Sequence, residues 1–174
     1  MNEEAYRSGA AFAVTIATYH RRHFIMRRDV ADLCVESLRE SAKRYEARVF
    51  AYCFMPDHCH ILASVPDGSL IDLVRHFKQL SSFQSKTLLG GFPLWQARFF
   101  DRALRAEDEQ ARVALYILWN PDSAGLVETI TDYPYSGSLI WPEMLASGSE
   151  DPDLHSPHLR KFSIAFADRK ETYQ

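Results

Sequence analysis

The stretch Met55-Pro56-Asp57-His58-Cys59-His60-Ile61-Leu62 reads as a turn entering a buried strand, and it carries two histidines two positions apart. In an extended chain successive side chains alternate faces, so His58 and His60 share one face. Cys59, Ile61, Ala63 and Val65 share the opposite face and suit a core. Paired imidazoles on one face of a rigid strand are two ready-made ligands for a divalent metal. Two hydrogen-bonded polar side chains on a half-exposed strand give the same spacing. The metal reading therefore needs a second element elsewhere in the chain.

Working upstream, Val49 to Phe54 has the composition of a strand, and Pro56, which lacks a ladder N–H, separates it from the histidine strand. Asp29 is expected to cap a helix running to about Glu46, with Val30, Leu33, Cys34 and Leu38 at helical spacing as its buried stripe. Ala11 to Thr18 reads as the first strand, with Phe12, Val14, Ile16 and Thr18 on one face. Between them, Tyr19 to His23 and then Arg27-Arg28 gather four arginines and two histidines beside an aromatic. Arg21, Arg22, Arg27 and Arg28 are thus candidate phosphate contacts, although a solvated charged turn has the same composition.

Downstream, Pro66-Asp67-Gly68 closes the histidine strand with turn chemistry. A long helix to about Leu89 follows, its apolar face expected to hold Leu70, Leu73, Val74, Phe77, Leu80 and Phe83, with Lys78 on a polar side that suits a phosphate backbone. Leu94 to Leu104 is expected to be a fourth strand, in which Trp95, Phe99 and Phe100 alternate with Arg98 and Arg102. Aromatics interleaved with arginines suit stacking on unpaired bases, and equally an edge strand with core aromatics and outward arginines. The next helix begins near Ala106 with acidic residues in its first turn and is expected to stop before Pro121. Tyr116 and Asn120 lie four apart on it, hence one turn above the other on the same face. The order strand, helix, strand, strand, helix, strand predicts an α+β, ferredoxin-like (RRM-like) βαββαβ antiparallel sheet with its helices on one face. An additional C-terminal helix carries Tyr116.

Composition sets the bounds. With 47% hydrophobic and 13% aromatic residues over 174 positions, the chain can bury a core as a single domain, here read as residues 1–141, followed by a polar acidic tail over 142–174. No apolar run is long enough to span a bilayer, and the acidic start argues against a secretory signal. Three cysteines without a disulfide or zinc framework read as reduced thiols of a cytosolic protein. The net charge of −3 hides an asymmetry: 15 Lys/Arg against 11 Asp/Glu in residues 1–106, but 5 against 12 in residues 107–174. Whole-chain charge therefore excludes no nucleic-acid partner and indicates none.

Suppose that His58, His60 and the Asn120 side-chain oxygen bind one cation. All three ligands are neutral, so the ion keeps its full charge to polarise a phosphate. Tyr116, one turn away, is then placed to attack the phosphorus, although a phenol is a weak nucleophile that needs activation. A covalent phosphotyrosine conserves the phosphodiester energy, so strand transfer needs no nucleotide cofactor. Mg²⁺ or Mn²⁺ suits such chemistry, imidazoles lean towards Mn²⁺, and Zn²⁺ stays open.

The histidine stretch resembles the His-hydrophobic-His signature of the HUH single-strand endonucleases. Leu94-Trp95-Gln96, Phe100-Asp101, Leu104-Arg105, Tyr116-Ile117-Leu118-Trp119-Asn120-Pro121 and Ala124-Gly125-Leu126-Val127 resemble the REP-associated tyrosine transposases, a single-tyrosine branch of that superfamily. The similarity runs over residues 11–141. It implies a metal-dependent enzyme, associated with the cytoplasmic nucleoid, that cuts and joins single-stranded DNA at hairpin-forming palindromic repeats. It would act as a monomer or homodimer through a 5′-phosphotyrosine. Carried over by position, His58, His60 and Asn120 match the metal ligands and Tyr116 the nucleophile. Asp57 stands where the family commonly has asparagine, and Tyr135-Ser136-Gly137 replaces the usual Trp-Ser-Ser. A non-cleaving DNA-hairpin binder and a metal phosphoesterase using water are the alternatives.

Overall fold

The computed structural model describes Tyr6, residues 9–104 and residues 107–141, with the backbone alone at 107 and 108. Five strands form one antiparallel sheet in the order β4-β1-β3-β2-β5. In chain order the elements are β1 (Ala11–Ala17), α1 (Arg28–Arg44), β2 (Arg48–Met55), β3 (His58–Ser64), α2 (Leu70–Ser85), β4 (Phe100–Leu104), α3 (Glu107–Ser123) and β5 (Ser136–Gly137). The first four strands have the expected ferredoxin-like order, and β3 lies in the middle between β1 and β2.

The β2–β3 hairpin turns on Pro56 and Asp57, with Met55 opposite His58. Proline supplies no N–H there, and the two turn carbonyls are used from outside: Ile25 N–H donates to Pro56 (3.1 Å) and Thr18 N–H to Asp57 (2.9 Å). The sheet is apolar on both faces because helices cover both. Phe12, Val14 and Ile16 of β1, Tyr52 and Phe54 of β2, and Cys59, Ile61 and Ala63 of β3 pack with α1 and α2. Ala11, Ala13, Ala51, Cys53, Met55 and Leu62 face the other way and pack with Val113, Ala114, Ile117 and Leu118 of α3. A bulge between Val49 and Ala51 turns Phe50 onto this second face as well. The helices are thus divided between two faces, and the histidines share theirs with α3.

Three boundaries and one buried face differ from expectation for physical reasons. Helix α1 begins at Arg28, and Asp29 sits inside its first turn, accepting from Val30 N–H at 2.9 Å and pairing with Arg27. On α2 the buried stripe continues from Phe77 through Ser81 and Ser85, which leaves Phe83 80% exposed. Ser81 donates to the Phe77 carbonyl and accepts from the Trp95 indole at 2.8 Å. The fourth strand is confined to Phe100–Leu104, because Trp95 makes only an isolated bridge to Thr18 and the Gln96 and Ala97 carbonyls accept from Lys78 Nζ. Helix α3 runs through Pro121 to Ser123; a proline in the last turn removes one bond, and Ala124 N–H closes the end on the Asn120 carbonyl at 3.0 Å. Arg105, Ala106 and the tail over 142–174 lie outside the described residues.

The Tyr133–Gly137 segment docks on the outer edge of β2. Tyr133 hydroxyl donates to the Phe54 carbonyl at 2.7 Å, Phe54 N–H donates to the Tyr135 carbonyl, and Gly137 pairs with Tyr52. A Cβ at Gly137 would stand 3.1 Å from the Tyr52 hydroxyl, so glycine suits the close pairing.

Candidate active site

Strand register builds the site. His60 lies between Thr15 of β1 and Cys53 of β2, and His58 between Ala17 and Met55. Both imidazoles stand on the α3 side, with ring centroids 4.7 Å apart and planes nearly perpendicular. Their Nε2 atoms approach to 3.1 Å. Each Nδ1 is held from behind: His58 by the Asp57 carboxylate at 2.5 Å and His60 by the Thr15 hydroxyl at 2.9 Å. The anchored Nδ1 atoms aim both Nε2 atoms at a common point, the arrangement that supports metal-ligating histidines. Two imidazole nitrogens this close and aimed alike could be held by one divalent ion. Among the described residues no third His, Cys, Asp or Glu completes a cluster with them. Among the described residues, any further protein ligand would then be a neutral oxygen.

The surroundings favour a neutral His60 ring at the bottom of the site. Burial pushes the His60 pKa down to about 3, helped by the neighbouring His58 and Arg21. A ligand imidazole must be neutral, and His60 is kept so. Asp57 behaves oppositely: burial alone would raise it, but the hydrogen bond and charge of His58, followed by Arg21, hold it at about 2.

Helix α3 presents the second element. Val113, Ala114, Ile117 and Leu118 are buried against the sheet. This docking brings the Tyr116 ring to 6.4 Å from the His60 ring, centroid to centroid. Asn120 Nδ2 donates to the Tyr116 carbonyl at 3.0 Å, one turn back. Only the amide nitrogen can make that bond, so Oδ1 is the end left to accept or ligate. The structure therefore brings Tyr116 beside the histidine pair and holds Asn120 against the same turn of helix.

An open cleft of about 800 Å³ is lined by Thr15 and Asp57, the partners of the two histidines, with Ala17, Arg21, His23, Gln96, Ala97, Arg98, Phe99 and Phe100. Of the basic residues singled out in the sequence, Arg21 and Arg98 line it. Arg21 also pairs with Asp57 at 3.2 Å. Arg22 packs over the Phe92 ring at 4.5 Å, Arg27 bonds Asp29 and the Leu88 carbonyl, and Arg28 is a highly exposed partner of Asp32. Arg102 on β4 pairs with Glu109 of α3. Lys78, partly buried on α2, donates to two carbonyls of the cleft wall, at Gln96 and Ala97, and so clamps that wall. Thr15 was not legible as part of the site. Its signal is slight: a polar side chain on the strand face opposite Phe12, Val14 and Ile16.

Residues 10–117 match the family model described as Transposase IS200 like. The chain belongs to that family. Within this IS200-like transposase, His58, His60 and Tyr116 all fall inside the matched span, and Asn120 lies just past its end. A Haemophilus influenzae protein named for REP-associated tyrosine transposase is 27% identical over 136 residues, covering 67% of this chain and 74% of its own length. The REP-associated tyrosine transposase of Escherichia coli K12 is 28% identical over 86 residues, covering 49% of this chain and 51% of its own. The solved structure of a REP-associated tyrosine transposase bound to a REP hairpin shares the fold, with a TM-score of 0.63 at 21% identity over 75% of this chain and 78% of that one. Among the described residues, no helix of the transposase is long and apolar enough to cross a membrane.

Proposed function

We propose that this transposase is a metal-dependent single-stranded DNA endonuclease and strand transferase. It acts at hairpin-forming palindromic repeats through a covalent 5′-phosphotyrosine on Tyr116. The observation that carries the reading is the pair of back-anchored imidazoles, with Nε2 atoms 3.1 Å apart and the Tyr116 ring beside them. The names of the two relatives and the hairpin-bound neighbour support the substrate class. In this reading His58, His60 and Asn120 Oδ1 hold Mg²⁺ or Mn²⁺, which when bound supplies Lewis-acid polarisation of the scissile phosphate.

The chain's own residues do the rest. Arg21 and Arg98 hold phosphates of an unpaired strand in the cleft, and Phe99 and Phe100 offer faces for its bases. The exposed Arg22, Arg27, Arg28 and Arg102 extend the basic path along which the duplex stem lies. Lys78 contributes by fixing the cleft wall. Tyr116 Oη attacks the phosphorus in line, its proton passing to water; the Tyr–O–P bond forms as the P–O3′ bond breaks, and the upstream strand leaves with a 3′-hydroxyl. A 3′-hydroxyl of the joining strand then attacks the same phosphorus and releases the tyrosine. One P–O bond is exchanged for another in each step, so no energy source is consumed. Residues 1–141 form the proposed catalytic domain, working in the cytoplasm.

Tyr116→Phe tests this reading against its alternatives. The proposal requires that the variant bind a labelled repeat hairpin as wild type does but lose both cleavage and joining. Retained hydrolysis would assign the reaction to a metal-bound water, and a wild-type protein that binds hairpins but cuts none would make it a hairpin binder.

A further inference from the structure

The turn that starts β3 carries a side chain with two partners. Asp57 Oδ1 lies 2.5 Å from His58 Nδ1, and Oδ2 accepts from Arg21 Nη1 at 3.2 Å. The backbone around it is fixed independently, since the Asp57 carbonyl accepts from both the amide and the hydroxyl of Thr18, at 2.9 and 3.0 Å. Arg21 reaches this position from a left-handed backbone conformation (φ 54°), and so does its neighbour His20 (φ 52°). Two consecutive non-glycine residues in that region cost energy, and surrounding contacts must hold them there. Among these contacts is the ion pair with Asp57.

A carboxylate can only accept, so His58 must donate to it through Nδ1–H. The neutral ring is thereby restricted to one tautomer, with a bare Nε2 towards His60. The partner of His60 is different in kind. Thr15 is a hydroxyl, which donates or accepts equally well and fixes the ring's direction but not its tautomer. Of these two supports, the carboxylate behind His58 is the one that assigns a proton.

We propose that Asp57 is a positioning residue that locks His58 in the Nδ1–H tautomer, with Arg21 holding the carboxylate in the orientation that does so. The role rests on the metal-binding reading above only for its consequence; the tautomer itself is a property of the metal-free protein. Such outer carboxylates raise metal affinity, and their removal characteristically costs 10–100-fold.

The test combines imidazole nitrogen NMR on the metal-free protein with Mn²⁺ titration followed by electron paramagnetic resonance. In the wild type, His58 should be the Nδ1–H tautomer. Asp57→Ala should give a mixture of tautomers and weaken Mn²⁺ binding by roughly 10–100-fold. Asp57→Asn, whose amide oxygen still accepts from Nδ1–H, should restore the tautomer and much of the affinity. A packing role alone would lower stability without moving the tautomer of the folded protein. The Nε2–H tautomer in the wild type overturns the proposal without any variant. An unchanged tautomer and unchanged Mn²⁺ affinity in Asp57→Ala overturn it equally. If the tautomer depends on Asp57 but the wild type takes up no Mn²⁺, the positioning role stands and the metal reading of the site falls.

Discussion

His60 is 6% exposed, and its pKa is held far below the ordinary histidine value of 6.5, at about 3. Between those two pH values the unfolded chain binds a proton that the folded chain excludes, so lowering the pH favours unfolding. Asp57, lowered from 3.8 to about 2, adds to the loss in the same direction at the acid end. Thermal unfolding in chelator should therefore show a Tm that falls as pH drops from 6.5 towards 3, with a shallower fall in His60→Gln. A Tm independent of pH in that window would refute the burial account of His60. The placement of His58 and His60 on one face was legible because strand alternation leaves no other choice. The supports behind them were not. Thr15 is 45 residues away in sequence, and only the β1–β3 register brings its hydroxyl to the ring.

The decisive element is α3, which carries Tyr116 onto the histidine face. The spacing of Tyr116 and Asn120 on one helix face could be read from sequence, but the choice of sheet face could not. With apolar residues on both faces of β1, β2 and β3, each face needs a cover, and the pattern of α3 alone does not say which it takes. Leu118, 1% exposed, is one of the buried side chains that seat the helix. Leu118→Ala should destabilise the protein by about 2–5 kcal/mol. Because the cleft is lined without α3, the variant should lose DNA cleavage to a greater degree than hairpin binding at temperatures where it stays folded. Equal loss of both would mean that α3 does not act chiefly by presenting Tyr116. The same limit of sequence reading explains Lys78: a lysine on the polar side of α2 reads as a surface cation, and only the path of residues 96–97 turns it into a clamp.

At the scale of the molecule, charge is divided along the chain. Residues 1–106 carry a balance of +4 and residues 107–174 one of −7. The family was recognisable in the sequence because the histidine pair and the Tyr-to-Asn helix turn are local motifs. The cleft was not, because it is assembled from β1, the β2–β3 turn and the segment before β4. If the acidic tail competes with DNA for the basic surface, deleting residues 142–174 should tighten hairpin binding, most strongly at low salt where phosphate contacts dominate. Unchanged or weaker binding would reject that role for the tail.

In the proposed mechanism Tyr116 becomes covalently joined to DNA. The direct measurement is mass analysis of peptides after incubation of the protein with a labelled single-stranded repeat hairpin and Mn²⁺ or Mg²⁺. The account predicts a nucleotide-linked peptide containing Tyr116, absent with chelator, in Tyr116→Phe and in His58→Ala. Cleaved DNA with no linked peptide, or a linkage at another residue, would contradict it.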